Sequence, residues 1–147
     1  MSMATIGKTS QLLAAATAIT AVGFLTVPAL AQAHPMLPLA PPCSQYGFDG
    51  YFALTQSNNY VVEFRSFGPD ADGQASATGQ TPMSGYVVGS IKGNNVDFTI
   101  GWYDTHKRGH YTGVVGSDGF AHGDGVDELN PGSIAHWDST VPLKCIS

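Results

Sequence analysis

From Tyr60 onward the chain alternates between apolar and polar positions. Tyr60, Val62 and Phe64 interleave with Val61, Glu63 and Arg65, and Val87, Gly89 and Ile91 with Val88, Ser90 and Lys92. Val96, Phe98, Ile100 and Trp102 interleave with Asp97, Thr99, Gly101 and Tyr103. A period of two sends successive side chains to opposite faces, so each segment reads as a strand buried on one side. No segment beyond the first 45 residues carries a convincing helical stripe. Turn residues interrupt the pattern at Ser57-Asn58-Asn59, Pro69-Asp70-Ala71, Gln80-Thr81-Pro82, Gly93-Asn94-Asn95, His106-Lys107-Arg108, Ser117-Asp118-Gly119 and Asn130-Pro131-Gly132, at intervals of 11–13 residues. Such spacing marks an all-β sandwich or barrel. Seven turns predict eight strands, and connections too short for a crossover helix make neighbours antiparallel.

A weak internal repeat refines this. Gly85-Tyr86-Val87-Val88-Gly89-Ser90-Ile91 aligns with Gly109-His110-Tyr111-Thr112-Gly113-Val114-Val115, 24 residues on. The offset is two strands and two turns, so the repeating unit is a hairpin. Gly89 and Gly113 fall on the inward face, where a strand glycine marks a bend, a bulge or a close approach. The fold expected over 46–147 is all-β: a single antiparallel up-and-down barrel of about eight strands, with a β-sandwich as the alternative. A barrel of this size is filled by side chains or holds one small ligand.

The first 33 residues follow a different rule. Lys8, an uncharged apolar stretch from Leu12 to about Leu25, Pro28, and the small-x-small sites Ala29-Leu30-Ala31 and Ala31-Gln32-Ala33 predict a helical secretory signal peptide at 1–33, cleaved after Ala31 or Ala33. Thr17, Thr20 and Thr26 leave the stretch marginal for the roughly 20 residues of a membrane span. An uncleaved anchor is the alternative. Residues 34–45 form a proline-rich lead-in. The two cysteines, Cys43 and Cys145, sit at the extremities of the exported chain and predict one structural disulfide. Closing a loop of roughly 100 residues, it is worth about 4–5 kcal/mol in the chain-entropy description. Two cysteines alone do not complete a zinc site, and no histidine adjoins either to activate a thiol.

Composition narrows the function classes. The length of 147 residues suits one domain. All 11 acidic residues and five of the six basic ones lie beyond the signal, giving the exported chain a net charge of −6. That balance excludes a nucleic-acid binder. Apolar residues at 43% and aromatics at 10% exclude disorder. The expected location is secreted, with no stable membrane insertion after cleavage.

Candidate chemistry is sparse. His106 and His110 flank Lys107-Arg108 and read as a solvated hairpin tip. His122 and His136 lie on predicted neighbouring strands; if the register sets both on one face near Asp124 or Asp138, they could titrate together or hold a metal. Gly123-x-Gly125-x-Asp127-x-Leu129 and Asp70-x-Asp72-Gly73 are fragments of calcium-binding patterns, and both read better as turns. Ser133, His136 and Asp138 cluster, but strand alternation sends Ser133 to the opposite face from the other two. No catalytic, metal or cofactor set is therefore expected. The aromatics carry the more useful thread. Trp102, Tyr111 and Trp137, with His122 and His136, are the candidate lining of a ligand cavity with a few polar handles, against the alternative that the rings only fill the barrel. Outward Tyr86, Val88 and Tyr103 form a possible contact patch.

The core Gly109-x-Tyr111-Thr112-Gly113-x-Val115, Asp118-Gly119 and the closing Trp137-x-Ser139-x-x-Pro142-Leu143-x-Cys145 resemble small secreted proteins common in actinobacteria, over roughly the last 60–100 residues. The terminal Trp/Cys motif is the most specific part. The resemblance implies secretion and brings no activity with it. More loosely, the hairpin series resembles the avidin-like and lipocalin-like (calycin) barrels. That likeness is one of architecture, with no match to an avidin biotin site, and fold alone carries no function. The resulting expectation is a secreted, non-enzymatic barrel binding a small apolar or amphipathic ligand. An envelope or extracellular protein-interaction or inhibitor-like module is the first alternative, and an enzyme the second.

Overall fold

The computed structural model describes residues 42–147. The expected signal peptide, its two cleavage sites and all but the end of the lead-in lie outside the described residues. Among the described residues there are nine strands and no helix: β1 (Tyr46–Gln56), β2 (Val61–Gly68), β3 (Asp70–Thr78), β4 (Met83–Lys92), β5 (Asn95–Trp102), β6 (Arg108–Val115), β7 (Ala121–Asp127), β8 (Asn130–Ser139) and β9 (Lys144–Cys145). Each strand from β1 to β8 pairs antiparallel with the next, and β8 pairs back onto β1. The sheet thus closes into an eight-stranded up-and-down barrel, which excludes the sandwich.

The alternation decides what faces in. Val96, Phe98, Ile100 and Trp102 of β5 are buried, as are Val62 and Phe64 of β2 and Val87 and Ile91 of β4. Their interleaved neighbours form the outer surface. Gly89 and Gly113 face inward, as expected, and both are close approaches: a Cβ on Gly113 would meet Trp137 Cζ2 at 2.6 Å, and one on Gly89 would meet Phe98 Cβ at 2.5 Å. A narrow barrel fits its largest rings by leaving the facing position empty.

Six of the seven turns lie where the sequence places them. The seventh is displaced, because Asp127 Oδ1 accepts the Leu129 N–H at 3.0 Å and closes the turn at Glu128-Leu129. The β7–β8 register then jumps from Asp127↔Asn130 to Val126↔Ile134. Pro131, Gly132 and Ser133 bulge between them, where a residue without an N–H is tolerated.

The two ends of the barrel differ. β8 covers only Leu54–Gln56 of β1, next to the β1–β2 turn, and at the other end of β1 the unanticipated β9 takes over at Tyr46–Gly47. The Ser44 and Gln45 amides donate to the Ser147 carbonyl, and Ile146 N–H donates to Gln45 O. The Cys43–Cys145 disulfide, with Cα atoms 5.6 Å apart, fastens this edge. The Gln45 side chain accepts from Gly93 N–H and donates to Ile91 O, each at 2.9 Å, tying the β4–β5 turn to it. Inside, Phe48, Phe52, Phe64 and Phe98 pack with ring centroids 5.1–6.4 Å apart, mostly edge to face. This end is filled.

Candidate functional site

The opposite end, where the β1–β2, β3–β4, β5–β6 and β7–β8 turns gather, is open. It holds a cavity of about 320 Å³ to which all eight barrel strands or their adjoining turns contribute. One wall is apolar: Val62, Ala77, Met83 and Trp102. The other is shaped by what is missing. Gly109, Gly125 and Ala135 are inward positions with little or no side chain, and the Tyr111 ring occupies the space they leave. A Cβ would lie 2.9 Å from Tyr111 Cε2 at position 109 and 3.1 Å from Cε1 at position 125. Below, the Tyr111 ring stacks on Phe98 with centroids 5.0 Å apart and planes 15° apart. The aromatic series of the filled end therefore terminates in the floor of the cavity.

Polar groups lie at two depths. Deep in the cavity, Gln56 Nε2 donates to Tyr111 Oη at 2.8 Å. Burial pushes the Tyr111 phenol up to about 12, against a smaller opposing effect of the Gln56 hydrogen bond. At the rim, Lys107 Nζ lies 3.1 Å from Asp127 Oδ2, and Arg108 Nε 3.1 Å from Glu128 Oε2. These two pairs tie the β5–β6 loop to the β7–β8 turn. The hydrogen bond from Lys107, followed by that from the Leu129 amide, holds the Asp127 carboxyl below the usual carboxylate range. Two of the five basic residues of the described chain line this mouth, with Asp127 the one acidic lining residue.

Of the predicted lining residues, Trp102 and Tyr111 are in the cavity wall. Trp137 faces inward but lies deeper, 1% exposed and 6.4 Å from Phe98 between ring centroids. Its indole Nε1 has no hydrogen-bond partner among the described residues. His122 and His136 do not reach the interior. Gly123, Gly125, Ala135 and Trp137 take the inward positions, so the even-numbered residues His122, Asp124, His136 and Asp138 share the outer face. There His122 stands opposite Asp138, and Asp124 opposite His136, whose Nδ1 is hydrogen-bonded to Asp124 Oδ1. The His136 side chain is 80% exposed. Among the described residues no three His, Cys, Asp or Glu side chains converge as a metal site.

One further placement corrects the sequence reading and another agrees with it. His110 is not at a hairpin tip: it belongs to β6, with Nε2 2.9 Å from Asp97 Oδ1 on the neighbouring strand. Only His106 occupies the loop, at a left-handed φ of 56°. Ser133 lines the cavity while His136 and Asp138 point away from it, as alternation requires.

Sequence reasoning missed Gln56, Gly109, Gly125, Ala135 and the cationic rim. A signal for them existed. In an up-and-down barrel alternate turns share an end, and the inward positions next to the turns at one end are Ala77, Gly109, Gly125 and Ala135. Small residues concentrated at one end leave room there. Comparison with known protein families, curated proteins and solved structures finds no match to this chain.

Proposed function

We propose that the protein is a secreted, non-enzymatic barrel that takes a small apolar or amphipathic molecule into its open mouth. The observation that carries this reading is the 320 Å³ cavity, apolar along one wall and bounded by Trp102 and Tyr111. Its size is at the small end of ligand pockets, about 300–1,000 Å³. Burying roughly 200 Å² of apolar ligand surface supplies about 5 kcal/mol, which offsets part of the cost of association. Secretion is supported by the disulfide, a feature more typical of extracytoplasmic proteins. The non-enzymatic reading is supported by the outward histidines, which leave Ser133 without an imidazole beside it.

The test is a titration of ¹⁵N-labelled protein with coumarin, following the amides of Gly109 and Gly125 and the Trp102 indole. Saturable shifts confined to these groups, lost in Ala135→Phe, are the expected result. No saturable shift in the wild type would overturn the reading.

A second reading, a docking surface for another extracellular protein, draws on the outer face of β4 and the turn that follows β5. Tyr86, Val88 and Tyr103 are 39%, 59% and 52% exposed there. On that reading, Tyr86→Ser with Val88→Thr releases a partner and leaves occupancy of the mouth unchanged.

A further inference from the structure

We propose that the mouth selects flat molecules of about two fused rings that carry an amide-type edge, a carbonyl next to an N–H, and that this edge enters first to pair with Tyr111 and Gln56. The inference rests on the mouth being a ligand site and adds what the ligand must present to it.

Three observations converge on it. The first is the inventory of the deep polar pair. Tyr111 Oη accepts from Gln56 Nε2 at 2.8 Å, which leaves the phenol proton free to donate. Among the described residues no acceptor takes that proton, and no donor reaches Gln56 Oε1. The pair therefore offers the cavity at least one donor, the phenol proton, beside at least one acceptor, Gln56 Oε1. Rotating the Gln56 amide by 180° exchanges their places and preserves the pairing: Tyr111 then donates to Oε1, the freed Nε2 donates to the ligand, and Tyr111 Oη accepts. In either arrangement the complement is a neighbouring acceptor and donor on one rigid edge. A hydrocarbon pairs with neither group, and an ester or ketone satisfies only one.

The second is shape. Trp102 and Tyr111 provide aromatic surface to the cavity, and Gly109 and Gly125 let the Tyr111 ring sit close against the wall. At the packing density of protein interiors, about 320 Å³ holds roughly a dozen to sixteen non-hydrogen atoms. Two fused rings with one or two substituents fill it.

The third is preorganisation. Tyr111 is stacked on Phe98 from below and closely flanked by Gly109 and Gly125, so its hydroxyl is positioned without a ligand. Little ordering remains to oppose binding. Its phenol stays protonated, and hence a donor, well beyond neutral pH.

Three probes of one shape test this: 2-quinolinone with carbonyl and N–H, coumarin with carbonyl alone, and naphthalene with neither. Each is titrated by ¹⁵N NMR against the folded domain. The expected order of affinity is 2-quinolinone, coumarin, naphthalene, each step about threefold to tenfold, the worth of one neutral hydrogen bond. Tyr111→Phe, which keeps the ring, brings coumarin to within about twofold of naphthalene. Gln56→Leu brings 2-quinolinone down to coumarin. The wild-type order is itself decisive and needs no variant to fold. Equal affinity for the three probes in the wild type, with shifts at the mouth, would overturn the inference and leave the mouth a site for apolar molecules. Failure of all three to shift the mouth residues would overturn both.

Discussion

Trp137 lies against Gly113, and the indole fits only because that position has no side chain: a Cβ there would sit 2.6 Å from Cζ2. The two residues are on strands separated by β7, so the ring crosses behind Gly123, its partner in the β7–β8 register. This contact shows how an eight-stranded barrel accommodates Trp137 beside the four phenylalanines of its filled end. Large rings and bare backbone face each other across the wall, and packing is close to the limit that side-chain volume allows.

Gly113→Ala is accordingly expected to destabilise the protein by about 1–3 kcal/mol, the usual cost of overpacking a filled core. The His122 carbonyl, also against position 113, is backbone and yields little. Gly101→Ala is the matched control. Nothing lies within 4 Å of a Cβ at that position, and removing a strand glycine there is expected to be neutral or to stabilise by roughly 0.5–1 kcal/mol. Urea unfolding of the two variants beside the wild type measures the difference. Equal midpoints for both would refute the packing account.

Much of the wall was legible in the sequence because its strands pair with their sequence neighbours, so alternation and turn chemistry specify the order and nearly all the turns. The site was legible only in part. Trp102 and Tyr111 sit in strands whose large apolar residues mark the inward face. Strand β7, Ala121–Asp127, has one larger apolar residue, Val126, and it falls on the same alternation as His122, so hydrophobic periodicity could not assign His122 to the outer face. Gln56 and Tyr111 meet across 55 residues of sequence, and no local pattern announces such a contact. The bulge after Asp127 and the two-residue β9 depend on individual hydrogen bonds, which composition does not encode.

The Cys43–Cys145 disulfide closes nearly the whole described chain. Reducing it, or replacing both cysteines by serine, is expected to lower stability by up to about 4–5 kcal/mol. The same denaturant titration with and without reductant checks this. Coincident curves would show that the hydrogen bonds between Ser44, Gln45 and Ser147 hold the seam unaided.

Asp127 links mouth geometry to acid stability. Its carboxyl is held low by Lys107 and then by the Leu129 amide, so through the acid range the folded state binds fewer protons than the unfolded chain. The contribution is complete above the unfolded value of about 3.9 and is lost as pH falls through the lowered folded value. Thermal melts of the wild type and Asp127→Asn should differ at pH 7, with the wild type more stable, and converge toward pH 2. A gap that persists at pH 2 would assign the effect to something other than ionisation.

Because His122 and His136 face outward, replacing both by alanine should leave coumarin binding at the mouth within about twofold of the wild type. Stability should change by less than about 1 kcal/mol, since exposed pairs such as His136 with Asp124 contribute little. Loss of the coumarin shifts in the double variant would place the histidines in the site.

The alkaline limb isolates Tyr111. Its folded-state value is raised to about 12, whereas an unfolded tyrosine ionises near 10. Between those values the folded protein keeps a proton that the unfolded chain has lost, so stability falls as pH rises. One such group gives a slope of about 1.4 kcal/mol per pH unit, present only above about pH 10. Tyr51 and Tyr86 are also raised, Tyr51 chiefly by desolvation and Tyr86 chiefly by its hydrogen bond to Asp72. Both are exposed, and subtraction removes them. The stability difference between the wild type and Tyr111→Phe should therefore be flat from pH 6 to 9 and shift against the wild type from pH 10 to 12. Absorbance at 295 nm should show one tyrosine ionising late in the wild type and missing from the variant. Parallel pH profiles for the two proteins would show that the phenol is not the buried neutral donor the mouth requires.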